Sequence, residues 1–385
     1  MPDDARLTAD ELIALVERVF APREDDAALA ILVDLPDDVV ADNADWRVRR
    51  QLAAGWAEQL AEARDRHGRE IGLFWYRNVR ANNADLPQWA WPADPGGVPD
   101  HCDALDGHRQ IPMEELLATH RLVMAPTELS ATAPLKMLAR RLGFRAATMP
   151  GFSPAMVPAL RLDYVEVNRR VHLLKGLLDE STVAELAFES DARQYRLWLD
   201  LRHRTAHASG GLLHEPGTAG NLPSGESYIV PYEGEIEGDP SRSEGMLPVQ
   251  IEGEVVLHRV EHNRVTAIES SGEVSRRRAS ELSKEPAAAN LAELGLGVLS
   301  DFGVRPIGEV LLDEKLGLHI AFGRSEHFGG HVGPAAFTSP ERVIHQDWVY
   351  LPEIQPAVIV RRLRLTGPGG DHELIRDGEW ILGFE

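Results

Sequence analysis

A chain of 385 residues that is 43 % hydrophobic and 26 % charged holds enough apolar material for real cores and is long enough to predict two globular domains. Its formal charge of -21 works against nucleic acid, whose phosphates need a basic face, and the one basic run, Arg276-Arg277-Arg278, reads as a solvated loop or helix start. The single cysteine, Cys102, excludes an intrachain disulfide and any thiolate cluster for zinc or iron–sulfur. The opening Met1-Pro2-Asp3-Asp4 lacks the basic start and apolar core of a signal peptide, and no apolar run approaches a membrane span. A cytoplasmic protein without membrane or nucleic-acid partners is expected.

In chain order, residues 7–20 place Leu7, Leu12, Leu15, Val16 and Val19 at helical spacing, with Thr8 as cap and Glu11 three residues on. Ala28 to Asp34 is a compact apolar run of buried-strand length. Residues 46–67 return to helix, and Glu70 to Tyr76 form another strand. Residues 112–118 and 131–142 are helical, with a strand from His120 to Pro126 between them. This alternation predicts a mostly parallel sheet covered by helices, interrupted by a surface excursion over 78–111 that carries Trp89 and Trp91. No glycine fingerprint follows the first strand, where Asp34, Asp37 and Asp38 would repel a pyrophosphate.

Residues 163–189 read as a helix joining the halves, with Val165, Val171, Leu174, Leu177 and Leu178 inward. Short strands then follow at 195–201, 226–231, 248–258, 264–268, 317–322, 343–349 and 357–365, with a helical insert near 275–294. The fold class is therefore α/β: an N-terminal mostly parallel α/β domain over 1–165, then an antiparallel-rich mixed α+β domain over 166–385 whose first part, 166–190, is the linking helix.

Chemistry concentrates in the second half. In a strand, residues two apart share a face, so His345 and Asp347 aim together, and His319 from the run Leu318–Gly323 adds a second imidazole. Two imidazoles and a carboxylate suffice for a divalent metal. The turn Pro216–Gly225 delivers Glu226 to a strand start, and Glu293 lies in the apolar, glycine-rich stretch Ala289–Gly297, where a carboxylate needs a partner. Other candidates fail on spacing. His258 and His262 lie on strand and turn rather than on a helix, His203 and His207 fall in a polar loop, and Ser224 and Ser339 have no positioned His and acid.

The order NLPSGE, AELGLG, DEKLGLHIAFG and HQD over residues 195–385 resembles the aminopeptidase T-type (thermophilic) metalloaminopeptidase family; the first half fits only in its α/β layout. That resemblance implies two divalent metals (zinc, manganese or cobalt), a homodimer, and hydrolysis of an amide in a short peptide or small molecule by a metal-activated water. By motif, the ligands are Glu226, Glu293, His319, His345 and Asp347, with Glu226 and Asp347 holding the metals together and Glu293 a terminal ligand or the base. The family's tyrosine is missing: after His319 the chain reads Gly323-Arg324-Ser325-Glu326-His327, which makes Glu326 the candidate for that place or a solvated loop residue. Asp313 and Glu314 are candidates to orient the histidines, or to cap a turn. The motifs are also similar to those of the 2,5-dihydroxypyridine dioxygenases, which implies as the alternative a single non-haem Fe(II) on His319, His345 and Asp347. A third reading is a catalytically degenerate relative that binds a peptide.

Overall fold

The structure, a computed structural model, describes residues 5–94 and 97–384; the acidic start Met1–Asp4 and a small part of the 78–111 excursion lie outside the described residues. The chain divides into two compact units. Met1–Val167 with Ser209–Ser224 form one, and Asn168–Ala208 with Gly225–Glu385 form the other.

In the first unit Thr8 and Glu11 close a capping box on α1 (Ala9–Phe20), satisfying backbone N–H groups that a helix start leaves open. The elements that follow are β1 (Ala28–Leu35), α2 (Ala44–Glu62), α3 (Arg64–His67), β2 (Glu70–Arg77), β3 (Trp89–Pro92), β4 (Ile111–Pro112), α4 (Met113–Thr119), β5 (Leu122–Ala125), α5 (Thr132–Leu142), β6 (Arg145–Thr148) and α6 (Val157–Leu160). A seven-stranded sheet runs in the order β10-β6-β5-β1-β2-β3-β4, where β10 is the later segment Ala219–Asn221. It is parallel from β10 to β2, and β3 and β4 extend it antiparallel. The excursion is thus partly strand, with Trp91 buried and paired opposite Trp75. β1 is buried along nearly its whole length, as a strand covered on both faces must be.

Helix α7 (Tyr164–Asp179) carries the chain from one unit to the next. It ends ten residues before the predicted boundary of 189, because Val183–Ser190 alternates buried and half-buried positions and forms strand β7 instead. Its inward stripe is Tyr164, Val167, Val171, Leu174 and Leu178; Val165, expected inside, is 61 % exposed because it falls one residue out of phase.

The second unit continues with β8 (Arg193–Asp200), β9 (His207–Ser209), β11 (Glu226–Ile229), β12 (Glu244–Ile251), β13 (Glu254–Glu261), β14 (Arg264–Ile268), α8 (Glu273–Lys284), β15 (Leu291–Gly297), α9 (Val310–Asp313), β16 (Leu318–Gly323), β17 (His345–Val349), β18 (Ile359–Gly367), β19 (Gly370–Arg376) and β20 (Glu379–Trp380). The run 248–258, read as one strand, is a hairpin: Glu252 and Gly253 adopt φ of 49° and 81°, the paired left-handed turn that matches strand twist. The helix expected over 275–294 stops at Lys284, two residues before Pro286, and the apolar stretch beyond it becomes the fully buried strand β15. These strands make an eight-stranded sheet, β14-β13-β12-β8-β7-β18-β19-β20, and a five-stranded one, β17-β16-β15-β11-β9. The fold is the mixed α/β architecture read from the sequence.

Candidate metal centre

The five-stranded sheet assembles the site. Glu226 opens β11, Glu293 lies on β15, His319 on β16, and His345 and Asp347 on β17, so four consecutive antiparallel strands supply one or two residues each. The register places Ala321 opposite Asp347 and Gly295 opposite His319, which puts the ionisable side chains on a common face.

The glycines of Glu293-Leu294-Gly295-Leu296-Gly297 have a steric purpose. A Cβ on Gly295 would lie 1.9 Å from His319 Nε2, and one on Gly297 would lie 2.2 Å from the backbone carbonyl carbon of Lys315. Both contacts are well inside van der Waals separation, so the first glycine clears room for the imidazole and the second for the turn that carries Lys315.

Donor atoms of Glu226, Glu293 and His319 lie within 4.8 Å of one another, and so do those of Glu293, His345 and Asp347. Glu293 belongs to both groups. Its Oε1 is 3.2 Å from His319 Nε2 and its Oε2 is 3.2 Å from His345 Nε2. His345 Nε2 also stands 3.6 Å from Asp347 Oδ1, and His319 Nε2 3.5 Å from Glu226 Oε2. Each imidazole is oriented from behind: His345 Nδ1 donates to Arg324 O at 2.7 Å, and His319 Nδ1 to Gly317 O at 3.3 Å. Backbone carbonyls therefore fill the role for which Asp313 and Glu314 were candidates. Asp313 caps a turn, accepting from the N–H groups of Ile307 and Gly308 at 2.9 Å each.

The electrostatics are those of a buried, crowded carboxylate cluster. Burial pushes Glu293 toward the neutral form, but hydrogen bonds and charge from His319 and His345 outweigh it and hold the carboxyl well below its ordinary range. Burial likewise opposes protonation of His319, yet Glu293, Glu226 and Asp347 raise it to about 9, and Asp347 and Glu293 raise His345 well above its ordinary value. Burial, reinforced by the charges of Glu226 and Asp347 against the relief from Lys315, pushes Glu314 up to about 8.

Three residues have roles in this site that the sequence reading does not give them. Lys315, 1 % exposed, donates from Nζ to Glu226 Oε1 at 2.5 Å and also to Glu314 Oε1, so one internal cation already sits among the carboxylates. Glu314 is the second, a buried carboxyl tied to that lysine. Tyr228 is the third: it follows Glu226 by two and so shares its face, and burial with the charges of Glu293, Glu226 and Glu314 keeps its phenol protonated. The period of two after Glu226 could have found Tyr228; a lysine in a turn gives no periodic signal.

Glu326, the candidate for the missing tyrosine's place, is not brought into either group. It is exposed and chelated by Arg324, with Nε to Oε2 at 2.7 Å and Nη2 to Oε1 at 3.1 Å, and belongs to neither three-donor cluster among the described residues. Nearby rings gather at the His345 end instead. Phe328 and His327 have centroids 5.4 and 5.3 Å from the His345 ring, and Phe328 packs edge-on against Tyr228, which stacks on His207. His207 thus leaves the polar loop expected for it, while exposed His203 pairs with Asp239.

The donor set fits divalent cations. Glu226 is 6 % exposed, and its Oε2 accepts no hydrogen bond and meets the His319 ring only at 3.5 Å, so a divalent ion there would supply the direct contact that this buried carboxylate oxygen lacks. Carboxylate oxygens with two imidazole Nε2 atoms make the mixed N/O set that zinc, manganese, cobalt and ferrous iron accept.

Comparison with known proteins gives fold neighbours only. No family model and no curated protein matches the chain. Among solved structures, the chain is similar to the 2,5-dihydroxypyridine dioxygenase from Pseudomonas putida KT2440, with TM-score 0.60 and 16 % identity over 98 % of this chain and 99 % of that one. A second match is wild-type AmpT from Thermus thermophilus, with TM-score 0.48 and 18 % identity over 97 % of this chain and 99 % of that one. At 16 % identity the dioxygenase likeness is one of fold, and it spans both chains from end to end.

Proposed function

We propose that this chain is a metal-dependent hydrolase of the aminopeptidase T type, using two divalent cations to cleave an amide in a short peptide or small molecule. The observation that carries the reading is Glu293, whose two oxygens face two different three-donor groups. A carboxylate so placed would serve two divalent ions side by side, a different role from the terminal ligand or base that the motif resemblance implies for Glu293, and from the metal-joining role it implies for Glu226 and Asp347. Glu226 and His319 would complete one site, and His345 and Asp347 the other. Bound there, the cations would supply Lewis acidity, acidifying a water and polarising a carbonyl oxygen.

The chain's own residues prepare that chemistry. The carbonyls of Gly317 and Arg324 hold the imidazoles so that both Nε2 atoms face Glu293. Lys315 fixes Glu226 through Oε1 and leaves Oε2 as its single free donor. Tyr228 presents a neutral phenol on the Glu226 face, and the rings of His327 and Phe328 pack edge-on against the His345 ring.

A second reading has its own support. The Lys315 ammonium on Glu226 already supplies positive charge where a second cation would bind, which favours a single ferrous ion on His319, His345 and Asp347 and cleavage of a dihydroxylated aromatic ring with O₂. Elemental analysis of protein purified without added metal, paired with two assays, separates the two. Two divalent ions per chain with release of 4-nitroaniline from leucine 4-nitroanilide supports the hydrolase. One iron per chain with O₂ uptake on 2,5-dihydroxypyridine replaces it with the oxygenase, and a chain that binds no divalent ion sinks both.

A further inference from the structure

We infer that Tyr228 is a catalytic residue of the proposed hydrolysis: its phenol O–H donates to the carbonyl oxygen of the amide under attack and holds that oxygen while it carries negative charge. This inference rests on the hydrolase reading and adds to it a donor that the five candidate ligands do not supply.

The sheet sets the phenol in the row of a candidate ligand. Tyr228 on β11 lies opposite Gly295 on β15, and Gly295 lies opposite His319 on β16, so the three share one cross-strand row and one face. Tyr228 and His319 therefore stand two strand spacings apart, about 10 Å, with no side chain on the residue between them. A Cβ on Gly295 would lie 1.9 Å from His319 Nε2, so the imidazole leans across that glycine toward β11. Glu226 opens the same strand two residues before Tyr228, and the charges of Glu293, Glu226 and Glu314 all bear on the phenol. The ring is 8 % exposed and fixed from two sides: His207 stacks on it with centroids 5.1 Å apart, and Phe328 meets it edge-on at 4.8 Å. His207 Nε2 is itself tied to Phe328 O at 3.0 Å.

The hydroxyl, by contrast with the ring, is uncommitted. Tyr164, Tyr232 and Tyr350, buried in the same chain, give their O–H groups to the backbone carbonyls of Ala159, Asp239 and Pro248 at 3.0, 2.7 and 2.9 Å. The Tyr228 oxygen takes part in no hydrogen bond among the described residues, and it is not sealed from solvent either. A tyrosine so deeply placed normally gives its O–H to a partner. The side chains around it are otherwise engaged or of the wrong kind to meet a substrate oxygen. Glu226, Glu293 and Asp347 are acceptors only when ionised, both imidazole Nε2 atoms face Glu293, and Lys315 Nζ is held by Glu226 and Glu314. An anionic oxygen arising on a substrate among these carboxylates needs an N–H or O–H directed at it, and Tyr228 has one free. In the step itself the oxygen of water bonds to the carbonyl carbon, the C=O pair moves onto the carbonyl oxygen, and the phenol strengthens its hydrogen bond there without losing its proton. When the pair returns, the C–N bond breaks and the leaving nitrogen takes the proton that the attacking water released.

The test compares the full chain loaded with manganese and its Tyr228→Phe variant, which keeps the ring and removes only the oxygen. With leucine 4-nitroanilide, kcat should fall about 100-fold or more while KM stays within about threefold, because the hydrogen bond gains its strength in the transition state rather than in the bound substrate. Affinity for leucinephosphonic acid, a tetrahedral mimic, should drop about tenfold or more while affinity for leucine, the product, stays within about twofold. The Kd for manganese, read by competition with a chromophoric chelator, should stay within about twofold, and the Tm of the loaded protein within about 2 °C. An unchanged kcat, or a KM that rises with kcat intact, overturns the role while the hydrolase stands. A loss of manganese affinity of about tenfold or more makes Tyr228 a ligand, and a fall in Tm of about 5 °C or more makes it a packing residue; either also overturns the role. If the wild type releases no 4-nitroaniline, the hydrolase reading falls and this role falls with it.

Discussion

Lys315 is the side chain on which the metal-free site depends. With 1 % exposure it neutralises Glu226 and Glu314, and breaking a buried pair by removing one partner leaves uncompensated charge. Lys315→Met is expected to cost the metal-free protein about 3 kcal/mol by urea denaturation. Saturating divalent ion should recover part of that loss, because the cation answers Glu226 from its other side. His258 is a buried titratable group outside the cluster: burial, with Arg278 beside it, depresses its pKa to about 3, and its Nε2 has no partner. The unfolded chain takes up this proton near pH 6.5 and the folded chain only near pH 3, so the unfolded state binds more protons between those values. The stability that neutral His258 confers is full above about pH 6.5 and is lost as pH falls. Thermal scans should show wild type losing Tm on acidification through that window, and His258→Leu losing less. The candidate ligands themselves were legible because each is an ionisable side chain inside an apolar strand or at a turn entering one. Lys315 was not, although it stands in the quoted Asp313-Glu314-Lys315, because only the folded turn shows that it points inward.

At the scale of elements, the site is a property of four neighbouring strands, and the two glycines of β15 are what allow them to approach. Gly295→Ala should displace the His319 ring and weaken divalent-ion binding by about 10–100-fold, read by competition with a chromophoric chelator. Gly297→Ala meets backbone rather than a movable ring, so the expected loss is in Tm as well as in metal affinity. Strand identity in this half was readable from alternation; strand number was not. The run 248–258 reads as one strand because Glu252 takes a left-handed conformation that its side-chain type does not advertise. The linking helix was drawn too long for a related reason: Val183-Ala184-Glu185-Leu186-Ala187-Phe188 contains good helix formers, and pairing with β8 and β18 decides its state.

For the molecule as a whole, a site that gathers Glu226, Glu293, Glu314 and Asp347 around one lysine and two histidines should make the second unit's stability depend on cations. Dialysis against a chelator is expected to lower Tm, and divalent ion at 100 times its Kd should restore about 2.7 kcal/mol, a rise of roughly 5–10 °C. A Tm indifferent to both treatments would remove the cluster from the list of metal sites. The sequence also conceals that its first unit is assembled from two separate stretches. Strand β10 pairs with β6, Asn221 Oδ1 accepts from Thr148 Oγ1 at 2.8 Å and Thr132 Oγ1 at 3.0 Å, and Leu213 N–H reaches Val19 O at 2.7 Å. These partners are separated by up to 194 positions and share no periodic signature. During synthesis, therefore, the N-terminal sheet cannot acquire its last strand until residue 221 has left the ribosome, after α7, β7, β8 and β9 have emerged. A nascent chain arrested with only residues 1–200 exposed should remain protease-sensitive in a region that becomes resistant once some 30 further residues are released.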